Sequence, residues 1–597
     1  MAQYIDYSKI RTSKTDLTDE PEVITYGMND VTGLLLAIEK YRNEYGNGSV
    51  HDIPLTATGI SRRELTKHLF EHDPDWCATQ CTQMKEIPYE LFIQETKTYQ
   101  GGYVHANRDW VKRKMPYHKP GDPLYTFHSF DYASSYPYCI CCFKNAVGPL
   151  EEVDPKDYEK VMADNPYDPE YRWIAKIKLY DVESRTRNTY WSYSKAYDCK
   201  ISKKVKKKNG KEVDALDNGR VVWADEMTIY VDDLSWSTFT RAYSIGHFEV
   251  INLYRSKADY LSVEFIKFVL KYFSHKTELK DLEELINDDG TIDGPDIIEA
   301  KYKKAKSVLN ALYGILVFKF CGLDIFVDDS DENGKIWHKG KEEDLPEIYE
   351  KCIKKMKPES TYAQYLCGIY VSSQARFNLW DIILHDDFDE NISYCDTDSC
   401  KGYYSPDGLE WIKQYNNEVE ERQNRVAAEL GIDPELFSPK NKDGEIKRLG
   451  WLEEEFTDNI ECFKTLGAKR YCIQLKKGKK DKKSGKIKKI LTTIAGLPKK
   501  AGTAVIKTID DFNNMTEWKP SQSLKKIVYY NDNQPECIWT DYKGVEYTDN
   551  NQFGAPIVPT GYDLSMSEEF IKFLLTLNGT VDPDEDEFFS DIPEDFR

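Results

Sequence analysis

The chain has 597 residues, 40% hydrophobic and 31% charged, a soluble mixture too long to be built around one core. No apolar run is long enough to cross a bilayer, and the polar start MAQYIDYSKIRTSKTD lacks the apolar centre of a secretory signal. The net charge of −21 taken alone argues against a nucleic-acid partner, but lysine is concentrated in residues 203–211 and 476–489, and local fields decide contact.

A cytoplasmic protein is expected (host-cell cytoplasm, if viral), with no membrane partner. The 14 cysteines are scattered, with Cys139, Cys141 and Cys142 in one segment, which suits a reducing compartment. In chain order, residues 31–45 have helical apolar spacing, and residues 60–70 suggest a second helix. Residues 126–130 read as a short strand that delivers Asp131. Between 150 and 250, Trp, Tyr and Val alternate with polar residues, which predicts strands. Residues 258–274 have an amphipathic helical pattern, and another helix covers about 296–312, ending near Gly314. Residues 326–345 are acidic, contain glycine and read as a loop. Residues 393–404 read as strand, tight turn, strand, and residues 471–494 as a long hairpin with lysines at its tip. From Val581 onward the acidic tail reads as disordered.

Three segments carry chemistry. Tyr394-Cys395-Asp396-Thr397-Asp398-Ser399 puts two carboxylates at the tip of a tight turn. Clustered oxygen ligands suit Mg2+, although aspartate also favours ordinary turns. Asp131-Tyr132-Ala133-Ser134-Ser135-Tyr136-Pro137 puts a carboxylate at a strand end, where a lone aspartate is commonly a cap. In the segment from Lys306 to Gly314, Lys306, Asn310 and Tyr313 fall at i, i+4 and i+7 and share one helical face. That face suits a triphosphate, a polar contact and a stacked base; an ordinary exposed face is the alternative.

In this order, D-x-x-S-x-Y-P, K-x-x-x-N-x-x-Y-G and Y-x-D-T-D-S resemble motifs A, B and C of the family B DNA polymerases. The resemblance implies an α+β, right-hand fold: an antiparallel palm sheet bearing Asp131 and Asp398, helical fingers and a thumb. It implies Asp131 and Asp398 as metal ligands, Asp396 as an auxiliary one and the Tyr132 carbonyl as another. The cofactor would be two Mg2+ ions, roughly 3.5–4 Å apart, for which Mn2+ can substitute. Phosphoryl transfer needs positioning and charge neutralisation more than a covalent nucleophile. By the same resemblance, Lys306 binds the nucleotide phosphates, Tyr136 excludes a ribose 2′-hydroxyl, and Asn310 and Tyr313 line the base-pair pocket. The sequence departs from the commoner pattern at Ser135, where Leu is usual, and at Ala311, where Ser is usual; the ligands are intact.

Flanking motifs narrow the type. Tyr99-Gln100-Gly101-Gly102 resembles a Y-x-G-G motif that touches template, and Lys469-Arg470-Tyr471 a K-x-Y motif on the primer side. Residues 372–376 (SSQAR) resemble a motif in which a hydroxyl and an arginine, here Ser372 and Arg376, meet DNA or a priming protein. Ser134 and Gly314 complete the expected DNA contacts. Together these look like the protein-primed branch of small phages and linear plasmids. The partners implied are template-primer DNA, dNTPs and a terminal protein. Spacers of about 170 and about 80 residues between the three motifs leave room for that branch's insertions. The expected division is an exonuclease remnant (1–98), palm with motif A (99–295, first insertion about 150–290), fingers (296–318), second insertion (319–360), palm with motif C (361–449), thumb and C-terminal region (450–580) and acidic tail (581–597).

Tyr26-Gly27-Met28-Asn29-Asp30 resembles the third acidic motif of the family's 3′–5′ exonuclease, and residues 53–65 resemble the stretch after it. Only about 25 residues precede it, too few for the other two motifs. Either a separate exonuclease subunit completes the domain or the activity is lost; proofreading by this chain alone is not expected. His68, His72, Cys77 and Cys81 have zinc-like spacing, against the plain alternative of a helix followed by unrelated cysteines. Two rivals remain: a polymerase-like scaffold that binds DNA or a terminal protein without catalysis, and an RNA-making or RNA-directed enzyme. The four intact residues Asp131, Asp396, Asp398 and Lys306 count against the first. Tyr136 and the T-D-S ending count against the second.

Overall fold

Strand Asp122–Tyr132 lies within a six-stranded antiparallel sheet whose order is Val104–Ala106, Ile392–Asp396, Ser399–Tyr404, Asp122–Tyr132, Leu452–Glu455. His118–Lys119 folds back onto its beginning. The period of two along these strands sends side chains to both faces, and both faces are covered. Phe130, Tyr132, Cys400 and Tyr404 pack on one side with Leu379, Trp380 and Ile383 of the helix Tyr365–Ile383. Phe127, Tyr394 and Tyr403 pack on the other side with Phe463 and Ile473. That second layer is a four-stranded sheet of Met115–Pro116, Ile460–Gly467, Arg470–Lys480 and Ile487–Ile494.

The computed structural model describes residues 21–577, apart from 46–47, 164, 208, 287–290, 324, 329–335, 340, 386–387, 481–484, 486, 529–536, 541–545 and 550–556. The acidic tail and the very tip of the lysine hairpin therefore lie outside the described residues. The side chains of Tyr26 and Asp30 also lie outside them, within the helix Pro21–Tyr45. Among the described residues, no helix is long and apolar enough to cross a membrane.

The alternation between 150 and 250 forms strands. Tyr171–Ser184, Trp223–Asp232 and Tyr243–Asp259 pair antiparallel in a second six-stranded sheet. Trp173, Ala175, Ile177 and Leu179 point from it into the same core as Trp380. Next comes a helical layer: Val263–Glu278 and Pro295–Leu316 lie against each other and against Ala57–His72. Phe265, Val269, Leu309, Leu312, Leu65 and Leu69 close its core.

The structure differs from expectation in three places. The helix expected at 258–274 begins at Val263, because Ala258 and Asp259 continue a strand and the Ser262 hydroxyl caps the helix by accepting from the Glu264 N–H at 3.2 Å. The helix expected to stop near Gly314 runs to Leu316; Ile315 and Leu316 are 1% and 2% exposed, and their burial outweighs the cost of about 1 kcal/mol for a helical glycine. Residues 326–345 are not all loop: Ile325–Asp328 pairs antiparallel with Ile336–Lys339. The acidic residues around them hid two short apolar runs, Ile325-Phe326-Val327 and Ile336-Trp337.

Gly402 marks the tightest approach in the first sheet. A Cβ there would sit 2.3 Å from the Asn391 carbonyl oxygen and 2.7 Å from the Ile392 Cα, both backbone atoms that cannot swing aside. Gly402→Ala is therefore expected to destabilise the chain by about 1–3 kcal/mol in denaturant unfolding, the usual range for overpacking. A variant as stable as the parent would contradict this close packing.

Candidate active site

The strands Ile392–Asp396 and Ser399–Tyr404 are joined by only Thr397 and Asp398, with Asp396 opposite Ser399. So tight a turn needs a left-handed residue, and Thr397 has φ of 60°. Its N–H donates to the Tyr103 carbonyl at 2.7 Å, and the Asp398 N–H donates to the Asp396 carbonyl at 2.6 Å. Gly102 makes room for the turn, because a Cβ on it would lie 2.6 Å from Thr397 Cγ2. One strand over, Asp131 sits opposite Ser399, and the Tyr132 N–H donates to the Asp398 carbonyl at 2.8 Å. Backbone pairing thus brings together Asp131 and Asp398, which are far apart in sequence.

Their charges conflict. Burial, then the charge of Asp398, pushes the Asp131 carboxyl up to about 7. Burial, then Asp396, pushes Asp398 up to about 6. Glu453, opposite Asp131 on the outer strand, and Glu455 add to the strain on Asp131. Asp396 is different: its Oδ1 accepts from Lys469 Nζ at 2.5 Å and its Oδ2 from the Tyr394 hydroxyl at 3.2 Å. Beneath the pair, the buried Lys401 Nζ donates to Ser129 Oγ at 2.8 Å and to Glu455 Oε2 at 3.1 Å. Burial opposes its charge, yet Glu455 and Tyr471 hold its pKa above the ordinary lysine value.

Two crowded carboxylates with raised pKa fit a divalent cation, a hard ion that prefers oxygen ligands. Among the described residues, no three His, Cys, Asp or Glu side chains converge into a ready-made cage. Such a pair would supply only part of a coordination shell, as suits Mg2+, which keeps several waters.

A second group faces this one. Ser134 has φ of 61°, and its hydroxyl accepts from Lys276 Nζ at 2.8 Å. Burial, then the nearby Lys306, lowers the pKa of Lys276, so the two lysines form one positive field. The Tyr136 and Tyr313 rings stack at 4.0 Å with an interplanar angle of 5°. The Tyr99 and Tyr313 hydroxyls share a hydrogen bond, and the buried Ser372 hydroxyl donates to the Ile369 carbonyl at 2.9 Å. Tyr471 lies against Tyr394, with ring centroids 4.9 Å apart, and the Lys469 N–H donates to the Tyr394 hydroxyl at 2.9 Å. Lys306, Asn310 and Gly314 are exposed on their helix, Gly101 is exposed, and Arg376 is buried.

Sequence reading missed Lys276 and Lys401. Lys401 had a signal, a lone cation in the buried strand Ser399–Tyr404. Lys276 had none, because a lysine in the last turn of an amphipathic helix is ordinary. The four zinc candidates do not share a centre: the His68 and His72 rings stack at 4.5 Å, while Cys77 and Cys81 are buried.

No protein-family profile matches the sequence, and no curated protein matches it. Solved structures do. Phi29 DNA polymerase complexed with primer-template DNA and incoming nucleotide substrates matches over 93% of this chain and 76% of its own, with a TM-score of 0.50 and 16% identity. The same polymerase complexed with single-stranded DNA matches over 95% and 76%, with a TM-score of 0.52 and 16% identity. Its orthorhombic crystal form gives a TM-score of 0.52 at 15% identity. The chain therefore shares the fold of phi29 DNA polymerase.

Proposed function

We propose that this chain is a template-directed DNA polymerase that adds deoxynucleotides to a primer 3′ hydroxyl. The observation that supports it most strongly is the meeting of Asp131 with Asp398, opposite the Lys276–Lys306 field and the stacked Tyr136 and Tyr313. In this reading the sheet bearing the carboxylates is the palm. The helix Pro295–Leu316 belongs to the fingers, with Val263–Glu278 packed against it, and the sheet from Ile460–Gly467 to Ile487–Ile494 belongs to the thumb.

Asp131 and Asp398, with Asp396 and the Tyr132 carbonyl, would hold two Mg2+ ions that activate the hydroxyl and neutralise the departing pyrophosphate. The rest of the site positions. Lys306 and Lys276 bind the triphosphate, with Ser134 fixing Lys276. Tyr136 lies under the sugar, while Tyr313 and Asn310 line the base-pair pocket. Lys401 holds the inner strands of the carboxylate pair in place. Lys469 and Tyr471 follow the primer strand; Tyr99, Gly101, Gly102, Ser372, Arg376 and Gly314 follow template or priming protein. The Y-x-G-G and SSQAR segments favour a terminal-protein primer, as in phage or mobile-element replication.

Asp131→Ala or Asp398→Ala is expected to abolish primer extension while binding of labelled template-primer persists. Extension at the parental rate in either variant would contradict the assignment. Tyr136→Val is expected to admit ribonucleotides, measured as the ratio of kcat/KM for dNTP and rNTP. An unchanged ratio would remove Tyr136 from sugar selection.

A further inference from the structure

The strand Val104–Ala106 is the edge of the first sheet, with a sheet neighbour on one side only. Val104 pairs with Asp396 and His105 with Cys395, and the Tyr103 carbonyl accepts the Thr397 N–H at 2.7 Å. That last bond matters because Thr397 is β-branched and has φ of 60°. Such a residue is strained in the left-handed region and stays there only when its surroundings enforce it. The edge strand is part of that enforcement, so whatever holds the edge strand also holds the turn.

A small hairpin just ahead of the strand Trp223–Asp232 does the holding. Its strands Leu216–Asp217 and Arg220–Val221 are joined by Asn218 and Gly219 alone, with φ of 49° and 82°, the two-residue loop that Asn-Gly favours. Asp217 and Arg220 stand opposite each other beside that loop. Arg220 Nη2 donates to the Val104 carbonyl at 3.1 Å, and its guanidinium lies 4.3 Å from the centre of the Tyr103 ring. Asp217 Oδ2 accepts from His105 Nε2 at 3.2 Å, from Arg108 Nη1 at 3.4 Å and from the Thr189 hydroxyl at 2.6 Å. Asp217, Thr189 and His105 are all buried. Burial opposes the charge of Asp217, but His105 and Arg108 hold its carboxyl below the ordinary aspartate value. One buried anion thus grips a residue within the edge strand and another just past its end. Displacing it would leave charged groups unpaired away from water, so the grip is stiff.

We infer that Asp217 is a positioning residue for the carboxylate turn, acting through the edge strand to fix Thr397 and with it Asp396 and Asp398. The inference rests on the reading of those aspartates as metal ligands and deepens it. It gives the hairpin that leads into the second sheet a mechanical part in the site, separate from the Lys276–Lys306 field.

The test is hydrogen exchange of residues 394–400 of the full chain in EDTA, beside Mn2+ binding followed by electron paramagnetic resonance. Asp217→Asn keeps the shape but removes the charge. It is expected to speed exchange at the turn and in Val104–Ala106 more than elsewhere. It is also expected to weaken Mn2+ binding about tenfold, the scale of losing a group that orients a metal ligand. Thr189→Val removes one donor to Asp217 and should move both readouts the same way by less; it carries the test if Asp217→Asn misfolds. Val426→Ala, in the core of the helical layer, is destabilised elsewhere and should keep the parental Mn2+ affinity. Parental exchange at the turn in Asp217→Asn and Thr189→Val overturns the inference. So does faster exchange with unchanged Mn2+ affinity, which would leave Asp217 a packing residue. A parent chain that binds no Mn2+ removes the metal site, and the inference falls with it. Neither readout needs DNA or catalysis. The expected pattern in a chain that extends no primer keeps the role of Asp217 and loses the polymerase reading. An active polymerase without the pattern does the reverse.

Discussion

Two carboxylates that repel each other, Asp131 and Asp398, are held side by side by backbone hydrogen bonds, and the rest of the site is arranged around that enforced contact. The sheet ladder fixes their spacing without the help of side chains. A carboxyl whose folded pKa lies above its unfolded value binds its proton more tightly when folded. It therefore supports folding at low pH and opposes it as the pH rises through the folded value, here about 7 for Asp131 and about 6 for Asp398. At neutral pH the fold bears an electrostatic cost at its centre. Lys401, buried and tied to Ser129 and Glu455, softens that cost without touching either carboxylate's outer oxygens. Lys469 pairs with Asp396, whose charge still presses on Asp398.

The remaining parts converge because the elements that carry them pack on this sheet. The helix Tyr365–Ile383 is buried along nearly its whole length and carries Ser372 and Arg376 into the interior. Lys276 and Lys306 come from two helices whose apolar faces share one core, so their cationic faces turn together. The Tyr136–Tyr313 stack links the short helix Ser135–Cys142, just after the strand Asp122–Tyr132, with the helix Pro295–Leu316. Negative charge is thus concentrated on the sheet and positive charge on the helices facing it, while the net charge of the chain is −21. That separation lets a chain of acidic composition still offer a local cationic surface.

Much of this was legible in the sequence. The hairpin bearing Asp396 and Asp398 follows from an apolar strand, an aspartate-rich turn and a second apolar strand. The strands between 150 and 250 follow from period-two alternation. Order along the chain joined Asp131 to Asp398 only through resemblance to a family, since no local pattern pairs strands so distant. The helix Tyr365–Ile383 escaped because apolar residues surround it on all sides, leaving no 3.6-residue periodicity to read. Lys276, Glu453 and Asp217 escaped for another reason: each depends on which elements become neighbours, and single-residue chemistry does not encode that.

The central claim is that the crowding of Asp131 and Asp398 is relieved by a divalent cation. The most direct measurement is thermal unfolding at pH 8 of the parent chain and Asp131→Asn, each in EDTA and in millimolar Mg2+ or Mn2+. Ions that bind only the folded state raise its Tm. The parent Tm is predicted to rise with the ion, while Asp131→Asn melts above the parent in EDTA and gains much less from the ion. A parent Tm indifferent to both ions, together with an Asp131→Asn variant less stable than the parent, would contradict the account.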